Sequence, residues 1–312
     1  MRDRRRRDAC PDILKRRLLV IIAHITDFHI VPAPQLCYGF CDTRDALSEV
    51  IDFLEDLNPR PDLVIASGDL VDEPTPAAYT ELAAILARLS LPLLVIPGNH
   101  DNRRMLAEHL PEHPYLQGPE SALNLVQSFN DLQIVALSSV IPGKEFGKIT
   151  DATLAWLEAQ LANNDERPVM LVMHHPPIVT GLPFMDGFQP PYREFAEFVK
   201  SSPRIKLIAC GHVHRAIDGM LGAARVTTAP ATGHQFSFTT DPTSPPRLSL
   251  EPPMVRLHVW NGSDVTSFMV AVNPLHVRDL PGMNPERWAD IQQSLLLGSD
   301  RNEAKKLLEN GQ

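Results

Sequence analysis

No apolar run in the 312 residues approaches the roughly 18 to 20 positions needed to cross a bilayer, and the longest near the N-terminus, Leu18 to Ala23, is interrupted by His24. A membrane-spanning protein is therefore not expected. Cysteine is equally scarce. Cys10, Cys37, Cys41 and Cys210 form no C-x-x-C pair and no regular framework, so free thiols in a reducing cytoplasm are expected, although Cys37 and Cys41 could approach each other in a turn. A secretory leader is not expected either. Residues 1–17 carry Arg2, Arg4, Arg5, Arg6, Arg7, Lys15, Arg16 and Arg17, but the apolar stretch of about 7 to 15 residues and the small-residue cleavage site of a leader do not follow. This segment reads as a disordered tail or an over-long start. Beyond it the chain is strongly acidic, with a formal net charge of -9 overall, which would repel a phosphate backbone, and no nucleic-acid partner is expected. There are no internal repeats.

The hydrophobic content, 44%, supports a sizeable core in one large domain or a main domain with an appendage. Short Val/Ile/Leu-rich runs at 18–25, 63–66, 93–96, 134–137, 169–173 and 207–210 lack period-two alternation, as strands covered on both faces do. Helical spacing separates several of them. Leu47, Val50, Ile51, Leu54 and Leu57 follow Asp42 and Thr43 as cap candidates, and Leu154, Leu157 and Leu161 follow Thr150 and Asp151. The class is layered α/β. Stretches 225–228, 255–260 and 265–272, the last two separated by the hairpin signal Asn261-Gly262, are expected to form a second sheet beside the first. Residues 241–253 read as a surface loop, and 273–312 as an extension whose helix from about Pro285 could dock on a partner subunit. The main domain is thus expected over 18–272, in a homo-oligomer.

Nearly every early strand ends in the same kind of residue: Asp27 and His29, then Gly68 and Asp69, then Gly98, Asn99, His100 and Asp101, then His174 and His175, and last Gly211, His212 and His214. If these strands are parallel neighbours in one sheet, their carboxyl ends share the edge where open α/β sheets hold ligands. The set is rich in imidazole and carboxylate and has no thiolate, which suits Mn, Fe, Co or Zn. One ion takes about four to six ligands, whereas Asp27, His29, Asp69, Asn99, His174, His212 and His214 offer seven side chains, so a pair of divalent or trivalent ions sharing a carboxylate is the economical arrangement. The spacing of His212 and His214 fits extended backbone, in which residues i and i+2 point the same way. Such a centre stays net positive, attracts a phosphate anion and lowers the pKa of a coordinated water enough to make it a nucleophile. His100 is the natural group to stabilise phosphoryl oxygens or protonate a leaving alkoxide. His24, His109, His113, His258 and His276 lack the strand-end context and read as structural or surface, while His175 should point away from His174.

These segments, "DFH" (27–29), "GD" (68–69), "GNHD" (98–101), "HH" (174–175) and "GHVH" (211–214), stand in the order typical of the calcineurin-like metallophosphoesterases, which the chain resembles over about residues 18–236. It looks especially similar to the bacterial glycerophosphodiesterase and class III cyclic nucleotide phosphodiesterase branch, with "LCYGFCD" (36–42) and "GHQ" (233–235) in support. The resemblance implies a four-layer α/β/β/α sandwich with a dinuclear metal site at the strand carboxyl ends. It further implies Asp27, His29 and His214 on the first metal and Asn99, His174 and His212 on the second. Asp69 would bridge them and so act catalytically, His100 would contact the phosphate as the other catalytic group, and Asn99, His234 and Tyr38 would lie on the substrate side. The implied activity is hydrolysis of small phosphodiesters, either cyclic nucleotides or glycerophosphodiesters. The alternatives are a phosphomonoesterase of the same fold or a non-catalytic metal-bound scaffold. Phe184, Met185, Phe188 and Tyr192 could wall the ester pocket or simply pack their loop.

Overall fold

The computed structural model describes residues 19–117, 124–162, 165–186 and 192–273. The basic segment 1–17, Phe188, and the extension beyond Asn273 with its expected helix lie outside the described residues. In chain order the strands are β1 (Val20–Ile25), β2 (Leu63–Ala66), β3 (Leu93–Val95), β4 (Leu125–Phe129), β5 (Leu132–Ala136), β6 (Val169–Val172), β7 (Ile205–Cys210), β8 (Ile217–Leu221), β9 (Ala224–Thr228), β10 (Gln235–Phe236), β11 (Leu248–Ser249), β12 (Met254–Trp260) and β13 (Val265–Ala271). The helices are α1 (Thr43–Asp56), α2 (Pro76–Leu86), α3 (Arg103–His109), α4 (Asp151–Ala162), α5 (Pro183–Asp186) and α6 (Arg193–Ser201). Among the described residues no helix is long and apolar enough to cross a membrane.

The early strands do not share one sheet. β1, β2 and β3 run parallel in a five-stranded sheet of order β13-β12-β1-β2-β3, whereas β5, β6 and β7 belong to a six-stranded sheet of order β4-β5-β6-β7-β9-β8. The late strands correct the expectation of a separate second sheet in the same way. β9 continues the parallel run beside β7, while the β12–β13 hairpin, turning at Asn261 and Gly262, adds antiparallel strands to β1. Most residues on both faces of β1, β2, β3, β5, β6 and β7 are apolar, so residue pattern alone could not assign these strands to sheets. The 241–253 loop is also more ordered than expected, since Leu248–Ser249 pairs with Gln235–Phe236.

Side-chain alternation shows the layers. In β5 and the residue after it, Ile134 and Ala136 join the core shared with β1, β2 and helices α1 and α2, while Val135 and Leu137 join a second core closed by Leu157 of α4 and by Phe195 and Val199 of α6. The order is therefore α/β/β/α, with the sheets packed face to face. Local chemistry sets the helix starts. The Asp42 carboxylate accepts from the amides of Arg44 and Asp45, and the Thr75 hydroxyl accepts from the Ala78 amide ahead of Pro76 in the first turn of α2. Thr150 Oγ1 likewise accepts from the Thr153 amide at the start of α4. His24 and His258 are buried and face each other, His258 Nε2 lying 3.3 Å from His24 Nδ1, in keeping with a structural role.

Candidate metal centre

The loops after β1, β2, β3, β6 and β7 meet at one edge of the two stacked sheets, and backbone bonds lock them there. The Asp27 amide donates to Gly68 O at 2.9 Å, the His29 amide to Asp69 O at 3.0 Å, and the Gly211 amide to His174 O at 2.9 Å. The two sheets are joined directly where the His212 amide donates to both carboxylate oxygens of Asp27, each at 3.0 Å. Gly211 permits this approach, because a Cβ there would run into Thr26 Oγ1.

Backbone shape sets the side-chain directions. Asp27, His29, Asp69, His212 and His214 have φ of 53°, 47°, 51°, 71° and 56°, a left-handed conformation that disfavours L residues by roughly 1–2 kcal/mol each. His212 and His214 are thus not in extended backbone as their spacing implied. A tight turn, stabilised by the Val213 amide donating to Gly211 O, sends the two rings to different groups of ligands.

On one side stand Asp27, His29 and His214. His29 Nδ1 lies 3.2 Å from Asp72 Oδ1 and His214 Nδ1 lies 3.2 Å from the His234 carbonyl, both acceptors only, so the proton of each ring belongs on Nδ1. The two Nε2 lone pairs then face each other at 3.0 Å, and Asp27 Oδ1 lies 3.6 Å from that of His214. On the other side, His174 Nδ1 is 2.7 Å from Ser67 O, which leaves its Nε2 lone pair 3.1 Å from Asn99 Oδ1 and 3.3 Å from Asp69 Oδ2. His212 Nδ1 is 3.1 Å from the same Asn99 oxygen, and its buried Nε2 has no partner. The Asn99 oxygen is turned inward because Nδ2 donates outward to Glu145 Oε2 at 3.0 Å. Asp69 stands between the groups, with Oδ2 also 3.8 Å from His29 Nε2 and Oδ1 accepting from the His100 amide at 2.9 Å. Acceptor atoms converging without donors call for cations, and an all-nitrogen-and-oxygen set fits first-row metals.

Electrostatics point the same way. Burial raises the Asp27 carboxyl to about 6, with His174 acting in the opposite sense. Burial likewise disfavours the charged Asp69, but His174, His100 and His29 outweigh it and hold this carboxyl well below its ordinary value. His174, opposed by burial, is lifted to about 9 chiefly by Asp69, so that a proton on Nε2 competes with a metal cation for this lone pair. Positive charge is thus drawn to the point where the acceptors meet.

Above this cluster lies a cavity of about 260 Å³ lined by His29, Asp69, Asn99, His100, Glu145, His212 and His214 together with Tyr38, Phe184, Met185 and Phe236. No Lys or Arg is among these residues. Tyr38 is 54% exposed at its rim. His234 does not line it. That ring is buried behind His29 and His214, at centroid distances of 5.3 and 4.8 Å, with neither nitrogen hydrogen-bonded. His175 is buried too, bonded to Ser139 Oγ and to the Glu145 carbonyl. Phe184 and Met185 do line the cavity, whereas Tyr192 packs into the second core.

Sequence reasoning missed several supporting groups. Asp72 orients His29, Glu145 orients Asn99, and Asp101 accepts from the amides of Gly98 and Leu70 and so shapes the turn that carries Asn99 and His100. Asp101 had a signal in its place within "GNHD"; Asp72 and Glu145 sit in ordinary loop sequence. Asp72→Asn is expected to weaken metal binding by about 10- to 100-fold in a calorimetric titration with Mn²⁺ while the far-UV spectrum stays unchanged, because the carboxylate fixes the His29 tautomer. Unaltered affinity would remove that role.

The sequence profile described as calcineurin-like phosphoesterase matches residues 20–216. The chain belongs to that family. It is 34% identical over 253 residues to the glycerophosphodiester phosphodiesterase GpdQ of Enterobacter lignolyticus, covering 80% of this chain and 90% of the relative. It is also 28% identical over 240 residues to the 3',5'-cyclic adenosine monophosphate phosphodiesterase CpdA of Escherichia coli K12, covering 74% and 85%. Among solved structures, a purple acid phosphatase from yellow lupin shares the fold with a TM-score of 0.58 at 13% identity, the match covering 84% of this chain and 53% of the lupin chain. A dimetal phosphatase from Danio rerio matches with a TM-score of 0.53 at 13% identity, over 81% of this chain and 99% of the other.

Proposed function

We propose that this calcineurin-like phosphoesterase is a phosphoric diester hydrolase acting on small phosphodiesters, cyclic nucleotides or glycerophosphodiesters, with a pair of Mn, Fe, Co or Zn ions. Asp27, His29 and His214 would hold one ion and Asn99, His174 and His212 the other, with Asp69 available to both. The observation that carries this reading is the position of Asp69 Oδ2, 3.8 Å from the His29 lone pair and 3.3 Å from the His174 lone pair. When bound, such a pair of ions offsets phosphate charge and lowers the pKa of a coordinated water from about 15.7 toward 7.

The chain's own residues do the rest. His100 Nδ1 donates to the Asp72 carbonyl at 2.7 Å. Against the effect of burial, Asp69, Asp72 and Glu145 raise this imidazole above its ordinary value, so that its imidazolium form also carries on Nε2 the proton that passes to the departing ester oxygen. Phe184, Met185 and Phe236 exclude water from one wall and Tyr38 stands at the rim of the substrate side, whereas His234 is buried behind the ligands and does not reach it. The relatives named as a glycerophosphodiesterase and a cyclic nucleotide phosphodiesterase support a diester as substrate.

Charge supports it independently. A diester carries one negative charge and a monoester about two near neutral pH, and the cavity offers Glu145 and no Lys or Arg. Glu145→Gln keeps an acceptor for Asn99 but removes the negative charge. It is expected to narrow the ratio of diester to monoester kcat/KM about fivefold, the effect of one extra partly screened charge worth about 1 kcal/mol. An unchanged ratio would count against the charge argument. The reading as a whole is tested by elemental analysis followed by turnover across cyclic nucleotides, glycerophosphodiesters and phosphomonoesters. Two ions per chain and diester hydrolysis that is abolished by a chelator are expected, and a folded, two-metal protein inert toward bis(p-nitrophenyl) phosphate would overturn it.

A further inference from the structure

Beside the candidate centre runs a groove of about 340 Å³ walled by Phe184, Met185, Phe236, Pro242, Pro245 and Pro246. Phe184, Met185 and Phe236 line the cavity over the metal-ligand cluster as well, so the two spaces adjoin along these side chains. The Phe236 ring stands 4.9 Å from that of His214 and 5.7 Å from that of Phe184, which places aromatic faces at the exit from the centre. We propose that this groove seats a flat aromatic arm of the substrate, an aryl group or a nucleobase. It would thereby favour diesters whose non-leaving arm is flat and aromatic over those whose non-leaving arm is small, such as methyl or a hydroxylated alkyl group. This rests on the phosphodiesterase reading and deepens it by naming the substrate class.

The chemistry of the walls selects the occupant. Rings and a thioether gain from contact with a π-face, and proline rings add apolar surface that holds its shape. The polar groups of the groove are largely engaged with one another. The Asp241 carboxylate accepts from the Thr243 amide and hydroxyl and from the Ser244 hydroxyl, and the Ser237 amide donates to Arg247 O. A glycerol arm entering here would give up bonds to water for few partners, whereas an aryl ring gives up none and a nucleobase only those along its edge. The dimensions agree, since ligand pockets begin at about 300 Å³ and part of the ester is accommodated over the centre itself.

The test compares two substrates with one leaving group, phenyl p-nitrophenyl phosphate and methyl p-nitrophenyl phosphate, on the metal-loaded full chain. The expected kcat/KM ratio favours the phenyl ester about tenfold, and Phe184→Ala brings the ratio close to one; Phe184 is 44% exposed, so its loss leaves the core packing in place. No preference in the wild type, or a ratio unmoved by Phe184→Ala, would overturn the proposal. Calorimetric binding of diphenyl phosphate and dimethyl phosphate separates the groove from the catalytic reading. If neither chromogenic diester is hydrolysed, the phosphodiesterase reading fails. The groove then stands if diphenyl phosphate binds about tenfold tighter than dimethyl phosphate and Phe184→Ala removes the difference, and falls if the two bind alike.

Discussion

Asp69→Asn is expected to lower kcat/KM for a diester at least about a thousandfold and to reduce the metal content below two ions per chain. The amide keeps the size and shape of the carboxylate, and its backbone position after β2 is unchanged, so folding should be preserved. What it loses is the negative charge that faces both groups of ligands, with Oδ2 within 3.8 Å of His29 Nε2 and 3.3 Å of His174 Nε2. Charge stabilisation by a held cation amounts to several kcal/mol, and each 1.36 kcal/mol is a factor of about ten in rate. Elemental analysis and steady-state kinetics on the same preparation check the result. A variant that keeps two tightly bound ions would contradict the bridging role.

The second large effect separates proton donation from simple binding. His100→Ala should slow hydrolysis of diesters with alkyl leaving groups by about 10²- to 10⁴-fold, the usual contribution of a positioned acid. For a p-nitrophenyl ester, whose phenolate departs without a proton, the loss should stay within about tenfold. The Asp72 carbonyl that receives Nδ1–H holds the ring so that Nε2 can face the substrate, and the residue-100 amide bond to Asp69 survives the substitution. Equal losses for the two leaving groups would remove the acid assignment and leave His100 as a phosphate-binding residue.

Much of the centre was legible because its residues follow apolar strands. Asp27, Asp69, Asn99, His174 and His212 each stand just beyond a run of Val, Ile and Leu, and strand ends in α/β folds are where ligands gather. The same runs concealed which sheet each strand joins, because a strand buried on both faces leaves no alternation to compare with its neighbours. Backbone handedness was hidden as well. Asp27, His29, Asp69, His212 and His214 all adopt φ above +45°, and the spacing of two histidines implied extended chain instead. Asp72 and Glu145 escaped notice because a carboxylate in a loop looks like solvated surface until its partner is placed, 43 positions away for the Asp72–His29 pair and 46 for the Asn99–Glu145 pair. The β4–β5 hairpin was half read, since β4 is only partly buried and carries a weaker apolar signal than β5.

The division of strands between two sheets has a mechanical consequence. Asp27, His29, Asp69 and Asn99 project from loops of the β1–β3 sheet, and His174, His212 and His214 from loops of the β6–β7 sheet. On the proposed assignment neither sheet would supply a complete coordination sphere, so each ion would act as a rivet clamping the two slabs at their common rim. Any force that pries the slabs apart must also extract the ions, and loading should therefore raise the melting temperature in proportion to the logarithm of free metal.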